Sequence, residues 1–333
     1  TSAGSIPLAA IRTTMRDSCI VFVFSYNRGP FLANAVASVE KQMPGVPLVI
    51  IDDHSEDRPT KTLLAQWRKK YPVLSPEQEE ESSLKHGGLY ACMNLAMRTA
   101  EEQEAHYAVF LQDDMQVVRP WREADWERIE RFFAQHREAA QLSLTFFKHD
   151  DRGREDRYRI SDENIAYFRR DEDWRNIAFS DTGIFHVRRI RAALPTLPAG
   201  ELTADRRMRE KGFRLGFYAF PLVMYLPLPP TWRGKRRSPF YRLAEALGRV
   251  GYYPYEPMRE AAVDRLVARD LKELPIGDEW LEARGLPRCR TVIYEGGFNS
   301  LRAHGPQRQR LRNPLRKWDG RWARMAQFLS GGH

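Results

Sequence analysis

The sequence of 333 residues contains only three cysteines, which lie far apart at Cys19, Cys92 and Cys289. Thiols so few and so widely spaced exclude a disulfide framework and a cysteine-based zinc site. No apolar run approaches the roughly 20 residues that a membrane-spanning helix needs. Internal repeats and low-complexity tracts are also absent, and the hydrophobic fraction of 42% is typical of a globular protein. We therefore expect a globular protein of a reducing, cytoplasmic compartment.

Motifs of three common enzyme classes are missing as well. The turn after the first predicted strand holds a single glycine, Gly29, instead of the Gly-x-Gly-x-x-Gly fingerprint of dinucleotide binding. There is no Gly-x-x-x-x-Gly-Lys-Ser/Thr loop for a nucleoside triphosphate. No His-x-x-x-His pair is present to hold a catalytic zinc ion. These absences argue against NAD-dependent oxidoreductases, P-loop NTPases and zinc hydrolases.

Positive charge is concentrated in the last third of the chain. The formal net charge is +9, and residues 231–333 carry 21 Lys and Arg against 11 Asp and Glu. The first 230 residues are therefore nearly neutral. A basic C-terminal third indicates either an anionic partner, such as a membrane surface, phosphates or nucleic acid, or a solvated basic surface.

Predicted strands and helices alternate along the chain. Short runs of β-branched and aromatic residues predict strands, and apolar residues at helical spacing predict the helices between them. The predicted strands are 19–24, 48–51, 107–111, 142–147, 184–187 and 214–225. The predicted helices are 30–40, 60–71, 89–100, 121–137, 188–194 and 203–211. This alternation is typical of an α/β protein with a parallel sheet, here preceded by a flexible N-terminal arm at 1–18.

Three predicted strands end in polar side chains. The three clusters are Ser25-Tyr26-Asn27, Asp52-Asp53 and Asp113-Asp114. Ligands of open α/β sheets bind beyond the carboxyl ends of the strands, so we expect these clusters to meet at one edge. Paired carboxylates repel each other unless a cation or hydrogen-bond donors compensate, and such a pair can hold Mg²⁺ or Mn²⁺ against a diphosphate. The alternative is that each aspartate caps a turn or helix; two equivalent pairs favour the ligand site.

Five motifs follow one another in order between residues 19 and 226. Three of them end the strands just described: Phe22-Val-Phe-Ser-Tyr-Asn-Arg28, Val49-Ile-Ile-Asp-Asp-His-Ser55 and Phe110-Leu-Gln-Asp-Asp114. The other two are Ser180-Asp-Thr-Gly-Ile-Phe-His-Val-Arg-Arg189 and the segment from Glu201 to Arg214. Each motif is weak by itself, whereas five in this order are specific. Together they resemble the motifs of the family 2 glycosyltransferases of GT-A fold.

The resemblance implies a GT-A domain over 19–230, with a Rossmann-like mixed sheet flanked by helices, and a partly helical basic extension over 231–333. It also implies an inverting, metal-dependent transferase that moves a sugar from a nucleotide diphosphate sugar, by default a UDP-sugar, to an acceptor hydroxyl. Its commonest setting is the synthesis of surface polysaccharide or lipopolysaccharide, with a glycan or lipid-linked acceptor.

The resemblance assigns roles to individual residues. Asp114 is the expected ligand of Mn²⁺ or Mg²⁺, and Glu201 is the expected catalytic base by its register with Gly212. Asp181, Thr182 and Gly183 belong to the acceptor side. The nucleotide sugar is expected to contact the following residues: Ser25, Tyr26, Asn27, Arg28, Asp52, Asp53, Asn94, Asp113, Arg233 and Lys235.

The sequence departs from the family pattern in ways that leave alternatives open. The Asp-x-Asp motif reads Gln112-Asp113-Asp114, so only its last aspartate coincides with the usual metal ligand. Asp205 lies one helical turn after Glu201 and could share or replace its role as the base. Its other interpretation is a partner of the helix dipole. Tyr225 stands where the family often has a histidine, which removes a potential third metal ligand.

Three cationic or amphipathic features each allow two interpretations. Arg28 is either a diphosphate contact or a surface charge. The cations between Thr231 and Ser238, which include Arg233 and Lys235, either close over the donor phosphates or belong to a solvated linker. An apolar stripe at helical spacing either packs on the catalytic domain or lies in a membrane interface. The stripe consists of Leu315, Trp318, Trp322, Met325 and Leu329.

Other functions stay open at this point. A nucleotidyltransferase uses a similar α/β scaffold, although residues 25–30 do not form its Gly-rich loop. A nucleic-acid-binding protein would explain the basic, aromatic C-terminal region, but no RNP-type or helix-turn-helix motif is present, and we expect no nucleic acid partner. A glycosyltransferase-like scaffold without activity is a third alternative, because the Asp-x-Asp motif is imperfect.

Overall fold

Strands and helices alternate along most of the chain in the computed structural model, which describes residues 14–77, 88–170, 176–226, 238–248, 250–285, 298, 300–301 and 306–330. The strands are β1 (Cys19–Ser25), β2 (Leu48–Asp52), β3 (Val73–Leu74), β4 (Tyr107–Gln112), β5 (Met115–Val117), β6 (Ala139–Ser143), β7 (Tyr158–Ile160), β8 (Ala166–Arg169), β9 (Gly183–His186), β10 (Arg214–Tyr218) and β11 (Val223–Tyr225). The helices are α1 (Gly29–Gln42), α2 (Arg58–Trp67), α3 (Leu89–Glu102), α4 (Glu123–Gln135), α5 (Val187–Ala193), α6 (Glu201–Glu210), α7 (Pro239–Leu247), α8 (Glu260–Ala268), α9 (Gly277–Trp280) and α10 (Pro306–Ser330).

Nine strands form one sheet in the order β3-β2-β1-β4-β9-β6-β10-β8-β7, and β5 pairs with β11 in a small second sheet. β1 is parallel to β2 and β4, whereas β9 is antiparallel to both of its neighbours, β4 and β6. β6 therefore runs in the same direction as β1 and β4. The predicted mixed α/β sheet is confirmed.

Helices cover both faces of this sheet because alternate side chains of the central strands point to opposite sides. Val21 and Val23 of β1 join one core cluster, which includes buried residues of α1 and α4. Phe22 and Phe24 join a second cluster with buried residues of α3, α5 and α6. The near-continuous apolar sequence of β1 is explained by this burial on both faces.

Two predicted strands need correction. The predicted strand 142–147 is β6, which begins three residues earlier and ends at Ser143; beyond it, Thr145 and Phe147 make only isolated bridges. The predicted strand 214–225 is interrupted between β10 and β11, which lie in different sheets. Pro221 has no N–H for a sheet ladder. Its carbonyl and that of Phe220 accept hydrogen bonds from the buried Arg119, at 2.9 and 2.6 Å.

Parts of the predicted arm and extension belong to the body. Residues 1–13 lie outside the described residues, but Met15 is buried in the core beside β1. In the extension, Tyr255 and Val263 share a third core cluster with Phe31 of α1 and Met224 of β11. The division at residue 230 therefore does not separate two cores, and as a domain boundary it stays a prediction. Among the described residues, no helix is long and apolar enough to cross a membrane.

Candidate active site

The carboxyl ends of β1, β2 and β4 bring the three polar clusters to one edge of the sheet. Ser25 lies beside Asp52 in the parallel register of β1 and β2, and Asp113 follows β4 directly. Ser25 is buried, and its Oγ has no hydrogen-bond partner among the described residues. A buried hydroxyl without a partner is costly, and a ligand at this edge would satisfy it.

Arg28 joins the two aspartates that follow β4. Its Nη1 lies 2.8 Å from Asp113 Oδ1 and 3.3 Å from Asp114 Oδ2. The backbone N–H of Tyr26 donates to Asp113 Oδ2 over 3.2 Å. Burial raises the pKa of Asp113 well above its usual range; Arg28 opposes this increase, and the charge on Asp114 adds to it. Two buried carboxylates thus lie against one guanidinium at the end of β4.

Asn27 ties the turn after β1 to the loop after β2. Its backbone has a positive φ of 52°, a conformation that asparagine adopts more readily than most residues. Its Oδ1 accepts hydrogen bonds from the backbone N–H groups of Glu56 and Asp57, at 2.6 and 3.0 Å. Its own N–H donates to Ser55 Oγ over 2.9 Å. These contacts make Asn27 a residue that positions the loops of the site.

Asp52 and Asp53 have different surroundings although they are adjacent. The oxygens of Asp52 accept hydrogen bonds from the N–H and the hydroxyl of Ser55, at 2.8 and 2.6 Å, so Asp52 shapes the turn. Asp53 accepts a bond from the backbone N–H of Gly88 over 2.6 Å, just before α3. Burial raises the pKa of Asp53 despite this bond. Asp53 is therefore better placed than Asp52 to contact a ligand. The exposed side chain of Tyr26 is available to the same ligand.

A second acid cluster lies at the start of α6. Glu201 Oε1 accepts hydrogen bonds from Asn176 Nδ2 over 2.5 Å and from the backbone N–H of Asp181 over 3.3 Å. The Tyr90 hydroxyl of α3 donates to Asp181 Oδ1. Burial and then the charge on Glu201 raise the pKa of Asp181 to about 7. The Asp181–Glu201 pair therefore has a carboxyl group that titrates near neutral pH.

Asp205, the alternative base, is buried in a structural contact. Its Oδ1 accepts three backbone hydrogen bonds, from Ile177, Ala178 and Phe179, at 3.0, 2.8 and 3.2 Å. Its Oδ2 lies 3.2 Å from Arg209 Nη2. Asp205 thus fixes the loop before Asp181, whereas the half-buried Glu201 lies beside Asp181 itself.

Tyr225 lies between the two acid clusters. Its hydroxyl is 2.9 Å from Thr182 Oγ1. Burial raises the pKa of Tyr225, and the charges on Asp114, Glu201 and Asp181 raise it further. Tyr225 also pairs with Met115, the residue after Asp114, so it lies next to both clusters and they belong to one site.

Several residues of this site escaped the sequence-based prediction. Gln141 of β6 holds the acceptor-side turn, because its Nε2 donates to the carbonyls of Ser180 and Thr182, at 2.7 and 2.8 Å. A glutamine inside an apolar strand was a usable signal for it. Lys148 Nζ lies 4.7 Å from the centre of the Tyr225 ring, and neither Lys148 nor Tyr90 had any signal in the sequence.

Other predicted residues lie elsewhere or outside the description. Asn94 exchanges two hydrogen bonds with the backbone of Leu197, at 2.8 and 3.1 Å, so its amide anchors the segment before α6. Gly183 begins β9 with a φ of +123°. Arg233 and Lys235 lie outside the described residues. A cavity of about 700 Å³ opens at the other end of the central strands, beside Tyr107 at the start of β4 and His186. None of the predicted site residues line it.

The two aspartates after β4 fit a hard divalent cation by their chemistry. Mg²⁺ and Mn²⁺ prefer carboxylate oxygens, and Asp113 and Asp114 place two carboxylates side by side next to Arg28. In the described part of the chain, no three His, Cys, Asp or Glu side chains are grouped to hold a metal. An ion at Asp114 would therefore need further oxygens from its substrate.

A family model for glycosyl transferase family 2 matches residues 20–193, just over half of the chain. Among curated proteins no match is found.

Solved structures show partial similarity. The chain is similar to S. aureus TarS at 16% identity and a TM-score of 0.41, over 75% of this chain and 42% of TarS, which is less than half of that protein. For TarS 1–349 in complex with UDP, the identity is 17% and the TM-score 0.42, over 75% and 69% of the two chains. The mannosyltransferase PcManGT from Pyrobaculum calidifontis, in complex with GDP-Man and Mn²⁺, is similar at 16% identity and a TM-score of 0.44, over 71% and 66%. From the extent of the family-model match, the chain belongs to glycosyl transferase family 2.

Proposed function

We propose that the protein transfers a sugar from a nucleotide diphosphate sugar, by default a UDP-sugar, to an acceptor hydroxyl with inversion at the anomeric carbon. The observation that carries this proposal is the pair of acid clusters next to Tyr225. One cluster, Asp113 and Asp114 with Arg28, suits the diphosphate. The other, Asp181 and Glu201, suits the acceptor. Direct displacement needs a base and a leaving-group site on opposite faces of the sugar, and two separate acid clusters in one site support this proposal.

Glu201 is the proposed general base. It is half-buried, and its Oε1 is held by Asn176 and by the N–H of Asp181. A carboxylate in this position takes the proton of the acceptor hydroxyl while that oxygen attacks. Asp181 and Tyr90 position it, and Thr182 with Gly183 shapes the acceptor side. Asp205 has a weaker claim, because three backbone N–H groups already occupy its Oδ1.

The diphosphate is proposed to lie against Asp114 and Arg28. Asp114 would hold Mn²⁺ or Mg²⁺, which when bound offsets the negative charge on the leaving diphosphate. Arg28 moves from its aspartates to a phosphate oxygen by the same charge attraction that now holds it. Arg233 and Lys235, outside the described residues, remain proposed contacts of the same phosphates.

The nucleoside is proposed to lie between the ends of β1 and β2. Asp53 accepts a hydrogen bond from the base, the exposed Tyr26 ring stacks on it, and Ser25 Oγ gains the partner that it lacks. Asp52 and Asn27 support these loops from behind, Asn94 holds the segment before α6, and Asp113 stays a candidate ribose contact.

The acceptor is proposed to be a glycan or a lipid-linked saccharide of surface polysaccharide or lipopolysaccharide synthesis, in the cytoplasm. This part of the proposal is supported by the resemblance in the sequence. Family membership favours glycosyl transfer over the nucleotidyltransferase and nucleic-acid-binding alternatives, and no contact among the described residues favours either of them.

A calorimetric titration with UDP, with and without Mn²⁺, tests the donor site. We expect metal-dependent binding to the wild-type protein and roughly tenfold or greater loss of affinity in Asp114→Asn, since a charge-assisted contact is removed. The control is Asp264→Asn, an exposed α8 carboxylate paired with Arg122, which should bind UDP like the wild type. A screen of nucleotide sugars, with NMR of the product anomer, then tests inversion. If no nucleoside diphosphate binds, or if Asp114→Asn binds UDP unchanged, the proposed donor site is wrong.

A further inference from the structure

The C-terminal helix α10 has one apolar face that only partly contacts the rest of the protein. Leu315 is 4% exposed, whereas Trp318, Trp322 and Met325 are 47%, 39% and 61% exposed. Spacings of three and four residues place all four on one side of the helix. The side chain of Leu329 lies outside the described part of the chain. The predicted stripe thus begins buried and becomes exposed toward the C-terminus.

The buried end of this face rests on α7. Leu315 forms a small cluster with Ala244 of α7 and Leu301. The Trp318 ring lies 5.7 Å from that of Phe240 at the start of α7, and Ser238, which caps α7, donates a hydrogen bond to Asp319. Among the described residues, no ring contact and no core cluster includes Trp322 or Met325. The apolar face therefore continues past its partner helix.

Cations occupy the remainder of the helix surface. Residues 306–330 include seven Lys and Arg and a single acid, Asp319. At 100° per residue, these cations fall outside the arc that holds Leu315, Trp318, Trp322 and Met325. Arg321 and Arg324 are exposed beside the free part of the apolar face. The helix combines exposed tryptophans with a dense positive charge.

We propose that the exposed face of α10 docks the protein on the surface of an anionic lipid bilayer. Tryptophan prefers the boundary between headgroups and acyl chains, because its ring is apolar and its N–H is polar. Lys and Arg next to it gain from the negative surface potential of acidic lipids. The helix lies along the surface, since no helix among the described residues is apolar enough to span a bilayer.

Charge decides between a lipid surface and a second copy of the chain. Two α10 helices placed face to face would bring together seven cations from each copy, which repel. A nucleic acid would match the charge, but it would leave Trp322 and Met325 without an apolar partner. Of these three occupants, the anionic bilayer matches both the cations and the apolar face.

Co-sedimentation of the full chain with lipid vesicles tests the proposal without measuring activity. The probes are phosphatidylcholine vesicles and the same vesicles with about one third phosphatidylglycerol. We expect binding to the anionic vesicles only, weakened by salt because the charge term is screened. Trp322→Glu with Met325→Glu should weaken binding roughly tenfold or more, and so should Arg321→Glu with Arg324→Glu.

A matched control separates this surface from net charge alone. The control is Arg131→Glu with Arg137→Glu, at exposed positions on or beside α4. It changes the net charge by the same amount as Arg321→Glu with Arg324→Glu, and it should bind like the wild type. Circular dichroism checks that each variant is folded. The proposal is overturned if the wild type ignores anionic vesicles or if Trp322→Glu with Met325→Glu still binds them. It is also overturned if those two substitutions only dissociate a dimer, or only abolish binding to DNA or RNA.

Discussion

Two carboxylates one helical turn apart on α6 have different tasks. Asp205 accepts three backbone N–H groups in the core, whereas Glu201 lies half-buried beside Asp181. The sequence shows two acids at i and i+4 and cannot separate them. The distinction comes from the loop 177–179, which is more than twenty residues away in the chain and supplies the N–H groups.

Glu201→Gln should reduce turnover by a factor of roughly 10²–10⁴, the usual contribution of a general base. The glutamine Oε1 can still accept the bonds from Asn176 and Asp181, so we expect donor affinity to change little. Steady-state kinetics with calorimetry of donor binding measure the two effects separately.

Asp205 supplies the matched comparison for Glu201. Asp205→Asn keeps an acceptor for the three N–H groups and should retain most of the activity, while Asp205→Ala leaves them unpaired and should cost about 3 kcal/mol or more of unfolding free energy. An inactive but stable Asp205→Asn beside a fully active Glu201→Gln would reverse the assignment of the base.

Asp181 should make stability depend on pH. Its pKa is about 7 in the folded protein against a usual value of 3.8, so the folded state retains a proton that the unfolded chain has released. Its contribution to the free energy of unfolding therefore falls as the pH rises from about 4 to about 7, and is constant above that.

Asp181→Asn removes this titration but keeps an acceptor for Tyr90. Relative to wild type, its free energy of unfolding should rise across that window, by at most about 1.4 kcal/mol for each pH unit. Urea unfolding at several pH values measures the difference in unfolding free energy between the two proteins. The contributions of the other titrating groups are the same in both and cancel. Parallel curves for the two proteins would show that Asp181 has an ordinary pKa.

Elements with one dominant pattern were predictable, and those that depend on distant partners were not. β1, β2 and β4 are apolar on both faces, so their sequences identify them and place Ser25, Asp52 and Asp113 at one edge. β7 and β8 are short hairpin strands that pair at the sheet edge, and nothing local distinguishes them. The break between β10 and β11 depends on Arg119, whose bonds to Phe220 and Pro221 reach back about a hundred residues.

Gly183 should be sensitive to the smallest substitution because β9 crosses close to β6. It has a φ of +123°, and a Cβ there would lie 2.5 Å from the carbonyl oxygen of Leu142. We expect Gly183→Ala to cost about 2–4 kcal/mol of unfolding free energy and to lower kcat, since the strand begins at the acceptor-side turn.

Gly212→Ala is the comparison in which only backbone strain contributes. Gly212 has a φ of +77°, and no atom lies within 4 Å of the position that an alanine Cβ would take. The substitution should therefore lower the unfolding free energy by only about 1 kcal/mol. Denaturant unfolding compares the two variants, and equal losses would mean that the close approach to Leu142 contributes nothing.

Across the whole molecule, stability is divided unequally between the body and the α7–α10 pair. The sheet and its helices share large core clusters, and residues of 250–285 pack into the body through Tyr255 and Val263. The α7–α10 cluster has three fully buried members, Ala244, Leu301 and Leu315. The basic composition of the C-terminal third predicted an extension, but which part of it joins the body depends on contacts with Phe31 and Met224, which composition does not show.

This division predicts that α10 can detach while the body stays folded. Leu315→Ala removes the largest side chain of a small cluster, so the amides of α10 should lose protection at least about tenfold while the main unfolding transition changes by less than about 0.5 kcal/mol. Leu142→Ala, the same substitution in the body core, should lower that transition by about 2–5 kcal/mol. Hydrogen exchange followed by mass spectrometry, together with urea unfolding, compares the two variants. If Leu315→Ala lowers the unfolding free energy of the main transition as much as Leu142→Ala does, the prediction is wrong. Leu315 would then contribute to the same unfolding event as the body core, and α10 would be part of the cooperative body.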